Sequence, residues 1–397
     1  MEFKKKILKN GLTILFEKRD VPVTTIMLAV KYGSAYETAE EKGMAHFIEH
    51  LSFKGTKKRN ARDIASEVEK VGGELNAFTH EEITAYHVKL PSKHLGSAMD
   101  VIFDVFFNPT FPEEEVKREA GVICEEIKMY KDNPRTHVIE SIKRNLYEEP
   151  FGDLISGSEE NVLKMTRDDL MKKHDEVYVS GNSILCVVGN NDFDEIVRLV
   201  ESMEIKKGNY GCDLPKIIKK TKSSEESREG IEQVNLAIGV HFPNATDEMK
   251  YAAEIFNVIF GEGMSSKLFV EVREKRGLAY AIRSEMDSGK DYGYMVICAG
   301  TESGKEDEVR KISLEEFHKM KDLTEEELRD AKIRVIGNRN VGSEDSSDTA
   351  INLIFEEVVS DADDYYKFEE KINSVTLGDI KKLAEICEYS FFSLGPN

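Results

Sequence analysis

The sequence predicts an α+β protein of two homologous domains, each a mainly antiparallel sheet with packed helices, joined by a flexible linker. Three observations carry this prediction. Strand-like and helix-like patterns alternate along the first 205 of 397 residues, a length that allows two or three domains. A polar tract, Lys219 to Gly230 (KKTKSSEESREG), then interrupts the pattern near Gly208, Gly211 and Pro215 and lacks the apolar residues needed to pack. Finally, the two flanking parts resemble each other, since PEEEVKREA from Pro112 matches TEEELRDAK from Thr324 at an offset of 212. The expected division is therefore 1–205, a linker over 206–231, and 232–397.

The elements follow in order. TTIMLAVKYGSA from Thr24 reads as a strand leading to a helical segment that ends at Phe53-Lys54-Gly55, and VNLAIGVHFPNA from Val234 leads to one ending at Phe260-Gly261. Glu74 to Leu90 and Leu278 to Gly300 read as antiparallel hairpins, because β-branched and aromatic residues flank polar turn residues. Amphipathic spacing predicts helices at Ala61 to Val71, Ser92 to Phe107, Glu113 to Lys131, Arg167 to Val177, Glu306 to Lys321 and Glu325 to Val341. Gly261 to Ser266 superficially resembles a phosphate-binding loop, but it follows a helix pattern and lacks the final Gly and Lys, so it reads as a connecting turn.

Composition excludes several functions. With 55 Lys+Arg against 75 Asp+Glu the net charge is -20, opposite to the basic footprint that nucleic acids demand. No run of about 18 apolar residues is present to span a bilayer. Acidity of this kind serves solubility, and it also suggests a preference for basic substrates. The five cysteines, Cys124, Cys186, Cys212, Cys298 and Cys387, are odd in number and contain no C-x-x-C, which argues against a disulfide framework. The N-terminus has basic residues but no apolar core or small-residue cleavage site before its first strand pattern, so a reducing cytoplasm is expected.

Chemistry concentrates in GMAHFIEHLSFKGT. His46, Glu49 and His50 lie at i, i+3 and i+4 of an apolar helix and so share one face. Two imidazoles one turn apart can reach one metal, and a carboxylate beside them can act on an activated water. The order H-x-x-E-H is the inverted form of the H-E-x-x-H zinc motif. The alternative is a helix with two solvated histidines, and a third ligand argues against it. PEEEVKREAGVICEEIKMYKDNP offers Glu119, Glu125 and Glu126 on one helix. Glu119 and Glu126, seven apart, flank its apolar stripe while Glu125 points elsewhere, so Glu126 is the better ligand.

His46-x-x-Glu49-His50, followed 76 positions later by Glu126 with Glu119 seven residues ahead of it, resembles the pitrilysin and mitochondrial processing peptidase family of inverted-zincin metallopeptidases. GGELNAFT (Gly72 to Thr79), EEIKMYKDNP and the repeated halves are similar to the short, two-domain bacterial and archaeal branch. The resemblance implies that His46, His50 and Glu126 bind one Zn2+ per chain and that Glu49 is the general base. Glu119 is then a carboxylate behind the ligands that orients one of them. The implied reaction is hydrolysis of peptide bonds, zinc acidifying a water and Glu49 taking its proton. Leu75 to Thr79 resembles the family's edge strand, where Asn76, Ala77 and Phe78 would hold an extended peptide, Asn76 and Ala77 mainly through backbone.

In the second half, FVEVREKRGLAYAIRS is similar to the family's Arg and Tyr pair, here Arg273 and Tyr280. The resemblance implies that Arg273 holds a substrate carbonyl and Tyr280 donates to the developing oxyanion. That half has lost the metal set: Ala253, Phe256 and Asn257 stand opposite His46, Glu49 and His50, and Ala331 and Asn338 stand opposite Glu119 and Glu126. One metal site per chain follows. In the family four such domains close a clamshell, and this chain supplies two, so a homodimer is implied, with Arg273 and Tyr280 reaching the other subunit's zinc. A non-catalytic subunit and one half of a hetero-oligomer are the other readings. The intact metal set argues against the first, and its coexistence with Arg273 and Tyr280 argues against the second.

Overall fold

The computed structural model describes residues 2–211 and 214–397, so Cys212 lies outside the described residues. The chain runs β1 (Glu2–Ile7), β2 (Thr13–Lys18), β3 (Val23–Val30), α1 (Met44–Ser52), α2 (Ala61–Glu69), β4 (Glu74–Thr79), β5 (Thr84–Pro91), α3 (Leu95–Phe107), α4 (Glu113–Asp132), α5 (Pro134–Leu146), α6 (Glu159–Lys164), α7 (Arg167–Val177), β6 (Ser183–Gly189) and α8 (Phe193–Ser202). It continues with β7 (Ser223–Ser227), β8 (Val234–His241), α9 (Lys250–Phe260), β9 (Ala279–Ser288), β10 (Gly293–Thr301), α10 (Glu306–Lys319), α11 (Glu325–Gly342), α12 (Ser346–Val359), α13 (Phe368–Ser374), α14 (Leu377–Ala384) and β11 (Ser390–Gly395). The class is α+β as expected. Among the described residues no helix is long and apolar enough to cross a membrane.

The six sequence-predicted helices are all present, with ends displaced by a few residues. Arg167–Val177 is reproduced because Thr166 and Asp169 close a capping box at its start. The predicted helix from Ser92 begins instead with a tight turn, Ser92–His94, before α3. Both hairpins form, β4 with β5 and β9 with β10, antiparallel.

The chain forms two compact units. The first comprises 1–127, 154–215 and 342–365, and the second 128–153, 216–341 and 366–397. This interleaving differs from the contiguous division expected from sequence, because a sheet face needs apolar cover and not sequence adjacency. In the first unit six strands lie in the order β1-β2-β6-β3-β5-β4, antiparallel except for β2 with β6. One face presents Ile14, Phe16, Ile26, Leu28, Leu185 and Val187 to the main core with α1 and α3. The other presents Leu15, Met27, Ala29, Cys186 and Val188 to Ala350, Leu353 and Ile354 of α12. Cover on both faces explains why β3 reads as a continuous apolar run, not an alternating one.

In the second unit five strands lie in the order β7-β11-β8-β10-β9, antiparallel except for β7 with β11. Leu236, Ile238, Val240, Met295 and Ile297 pack into a core with Ala253, Phe256 and Phe260 of α9 and Phe317 of α10. α5 covers the opposite face. Its Ile142 and Leu146 sit over Gly239, where a Cβ would come within 2.8 Å of either side chain, so only glycine lets the helix approach this closely. The polar tract read as a mobile linker is partly ordered: Ser223–Ser227 is the edge strand β7, recruited by backbone pairing with β11.

Candidate metal centre

The site grows from the way α1 is started. Gly43 precedes it with φ +100, a left-handed conformation that disfavours a side chain, and an added Cβ would lie 2.6 Å from the Ser156 carbonyl. Having no side chain, Gly43 cannot cap the helix. Glu37 does so from a distance, its carboxylate accepting hydrogen bonds from the Gly43 N–H at 3.0 Å and the Ala45 N–H at 2.6 Å. Glu37 is fully buried. Burial lifts its pKa to about 7, against the pull of the Lys42 ammonium and the two N–H groups.

α1 buries Met44, Ala45, Phe47, Ile48 and Leu51, which leaves His46, Glu49 and His50 half-buried on the remaining face. α4 buries Val116, Glu119, Ala120, Ile123 and Ile127, and this stripe aims Glu126 at the histidines while Glu125 is exposed. His46 Nε2 lies 3.7 Å from Glu126 Oε1 and His50 Nε2 3.5 Å from Glu126 Oε2. One ligand atom from each of His46, His50 and Glu126 lies within 4.8 Å of the others. Zinc bonds of about 2.0–2.2 Å in tetrahedral geometry require ligand atoms about 3.4 Å apart. The two histidine-to-glutamate separations match that spacing, and two neutral nitrogens with one carboxylate are a donor set suited to zinc.

The electrostatics separate the two histidines. Burial, reinforced by the neighbouring His50, pushes His46 down to about 4, so its imidazole is neutral at pH 7 and can donate a lone pair. His50 is also pulled down by burial, but hydrogen bonds to Glu126 and Glu119 leave it net above its ordinary value. A proton and a cation held there would compete for the same nitrogen. Behind His50, Glu119 is only 3 % exposed. Its Oε2 is 3.3 Å from His50 Nδ1, and its Oε1 is 2.8 Å from Lys54 Nζ. His46 Nδ1, by contrast, is buried with no hydrogen bond among the described residues, so of the two rings His50 is the one with a carboxylate behind it there.

Glu49 stands beside this group and is not part of it. Burial raises its pKa, while the Thr79 hydroxyl, donating to Oε2 at 2.6 Å, and His50 oppose the rise. Thr79 ends β4, one of the two edge strands of its sheet, so one hydrogen bond ties the carboxylate to the strand that carries Asn76, Ala77 and Phe78. Asn76 Oδ1 accepts from the Ala77 N–H at 2.8 Å. In the second unit the structure brings Arg273 and Tyr280 together. The Arg273 guanidinium lies 4.8 Å from the Phe269 ring centroid and 5.7 Å from that of Tyr280. Tyr280 is 78 % exposed.

Sequence reasoning missed Glu37, Lys54 and Thr79. Only Thr79 had a signal, its place in the GGELNAFT run.

A helix carrying paired imidazoles, a carboxylate from a second helix and a half-buried glutamate beside them form a group that could hold a metal ion, in the order of the inverted H-x-x-E-H motif. Comparison with known families agrees. Residues 13–158 match the family described as insulinase (peptidase family M16), and residues 164–335 match the peptidase M16 inactive domain. An uncharacterized zinc protease of Rickettsia felis is 36 % identical over 337 residues, covering 83 % of this chain and 81 % of that protein. The uncharacterized zinc protease YmxG of Bacillus subtilis is 33 % identical over 338 residues, covering 83 % and 82 %. A crystal structure of a protease from Helicobacter pylori has the same fold, with a TM-score of 0.92 and 23 % identity over 100 % of this chain and 99 % of that one. The chain belongs to peptidase family M16, in a short two-domain form.

Proposed function

We propose that this protein is a zinc-dependent endopeptidase that hydrolyses peptide bonds in unfolded peptides or short polypeptides. The observation that carries the reading is the convergence of His46, His50 and Glu126 at ligand spacing with Glu49 beside them. These three side chains would hold one Zn2+ per chain. Bound there, zinc would supply Lewis-acid polarisation of a carbonyl and acidify a water. Glu49 accepts the proton of the attacking water and delivers it to the leaving nitrogen, a role suited to a carboxylate whose pKa burial has raised. Thr79 fixes the rotamer of that base. Glu119 receives the His50 Nδ1–H and holds the ring with Nε2 toward Glu126, while Lys54 balances its buried charge.

Asn76, Ala77 and Phe78 on the edge strand β4 receive the peptide as an added strand, through main-chain hydrogen bonds. Arg273 holds a substrate carbonyl and Tyr280 donates to the oxyanion. The working form is a homodimer that encloses a cavity, acts in the cytoplasm and has no nucleic-acid partner. The net charge of -20 supports that last exclusion.

The test is hydrolysis of an unstructured quenched-fluorescent peptide by the purified chain and by Glu49→Gln, with bound metal quantified in both. The expected result is cleavage by the wild type only, at about one metal per chain in both proteins. Equal cleavage by both removes Glu49 as base. Metal in both with cleavage by neither removes the self-sufficient homodimer.

A further inference from the structure

The second unit contains a cavity of about 190 Å³ to which the proposed hydrolysis assigns only Arg273 and Tyr280. It opens where α5 begins. Along the body of the helix Ile142 and Leu146 fill the space above Gly239, but toward its first turn the sheet row beneath is Ala281, Gly300 and Asn235, whose side chains are too small to fill it. A Cβ at Gly300 would meet nothing nearer than the amide oxygens of Asn235 and Gln233, both at 3.9 Å. The neighbouring row pairs Cys298 with Arg283.

Three guanidinium groups from three separate elements line this one cavity: Arg135 from the first turn of α5, Arg273 from the short wide helix Phe269–Glu274, and Arg283 from β9. Arg283 is ion-paired with Glu285. Arg135 and Arg273 have no carboxylate partner among the described residues, and Arg273 is held only by the Phe269 and Tyr280 rings. In a chain with 20 more acidic than basic side chains, cations left without partners around a hollow mark a place where a negative group is to be received. The Cys298 thiol registers the same field. Burial pushes it up to about 12 and Glu285 adds to the rise, while Arg283 and Arg135 pull it back.

We propose that this cavity binds a carboxylate, held by the forked guanidinium groups of Arg135 and Arg283 in the field of Arg273, with the Asn235 and Gln233 amides at its rim. Arginine forks match a planar carboxylate with two parallel hydrogen bonds. Carboxylates are the anions that an unmodified peptide carries, at its C-terminus or on Asp and Glu side chains. That the carboxylate belongs to a peptide rests on the peptidase reading; that the cavity takes a carboxylate does not. A carboxylate site reverses, at this one place, the preference for basic substrates suggested by the overall charge.

The test is binding and not turnover: fluorescence anisotropy with full-length, metal-loaded Glu49→Gln protein and three versions of one labelled unstructured peptide. One version has a free C-terminus and an internal Glu, one is C-terminally amidated, and one carries Gln for Glu. Loss of the carboxylate that the cavity holds is expected to weaken binding about tenfold or more. Sensitivity to the amide assigns the chain terminus, and sensitivity to Gln assigns the side chain. Adding Arg135→Gln and Arg283→Gln is expected to erase the difference between peptides, and Arg135→Lys with Arg283→Lys to restore part of it. A melting curve of each variant reports folding separately. Equal binding of all three peptides, no detectable binding of any, or discrimination that survives loss of both arginines would overturn the proposal. Carboxylate-dependent binding beside a wild type that cleaves nothing keeps the cavity and removes the self-sufficient peptidase; cleavage without carboxylate dependence does the reverse.

Discussion

Replacing Thr79 by valine removes one hydroxyl and keeps the shape. The hydroxyl donates to Glu49 Oε2 at 2.6 Å, and a hydrogen bond to an ionised group is worth roughly 1.5–3 kcal/mol. Both residues are half-buried, so solvent compensates part of the loss and the lower end applies, about 1.5 kcal/mol. The loss therefore raises the Glu49 pKa further above its already raised value. The sign follows from the proposed role of Glu49 as the base. A base works ionised, activity falls as pH drops through its pKa, and raising that pKa moves the acid limb of kcat/KM to higher pH. At the acid end this is a loss of about tenfold in rate. The assay is the pH profile of kcat/KM for wild type, Thr79→Ser and Thr79→Val, with bound metal measured in each. Serine is expected to follow the wild type. A valine profile that overlays the wild type at full metal content would refute the link between β4 and the base.

Three other outcomes follow from the same physics. Glu119→Gln keeps an acceptor for His50 but turns an amide toward Lys54, so metal affinity is expected to fall about 10- to 100-fold, read by competition with a chromophoric chelator; unchanged affinity rules out the orienting role. Gly43→Ala forces a side chain into a left-handed residue 2.6 Å from the Ser156 carbonyl, and the metal-free protein should lose about 2 kcal/mol or more, several degrees in melting temperature. His174 is buried and held at about 4, chiefly by burial, with its Nε2 2.9 Å from the Phe106 carbonyl oxygen. An unfolded histidine near 6.5 takes up the proton first, so this contribution, on the order of 3 kcal/mol, is intact above pH 6.5 and is lost as pH falls toward 4. Melting temperatures of metal-free wild type and His174→Gln between about pH 7 and 4.5 should converge if this is right.

The parts of the site legible in the sequence are those governed by spacing along one helix. His46, Glu49 and His50 share a face because 3.6 residues make a turn, and the stripe of α4 separates Glu126 from Glu125 by the same rule. Glu37, Lys54 and Thr79 act across loops and sheets, where no periodicity records who meets whom. The strand Ser223–Ser227 was illegible for another reason. Its pairing uses backbone groups alone, and its polar side chains give the pattern of an unfolded tract. α5 and α12 follow ordinary helical chemistry, but the faces they cover are chosen by apolar surface in the folded chain.

The interleaving of segments has a consequence for synthesis. All six strands of the first sheet have been made once residue 189 leaves the ribosome. The helix that shields Leu15, Met27, Ala29, Cys186 and Val188 is not made until residues 346–359. At 5–20 residues per second, roughly ten to thirty seconds pass with one face of a finished sheet bare. A chain stopped anywhere in that interval carries His46, His50 and Glu126 and its uncovered apolar face together, so premature termination yields a sticky nascent species.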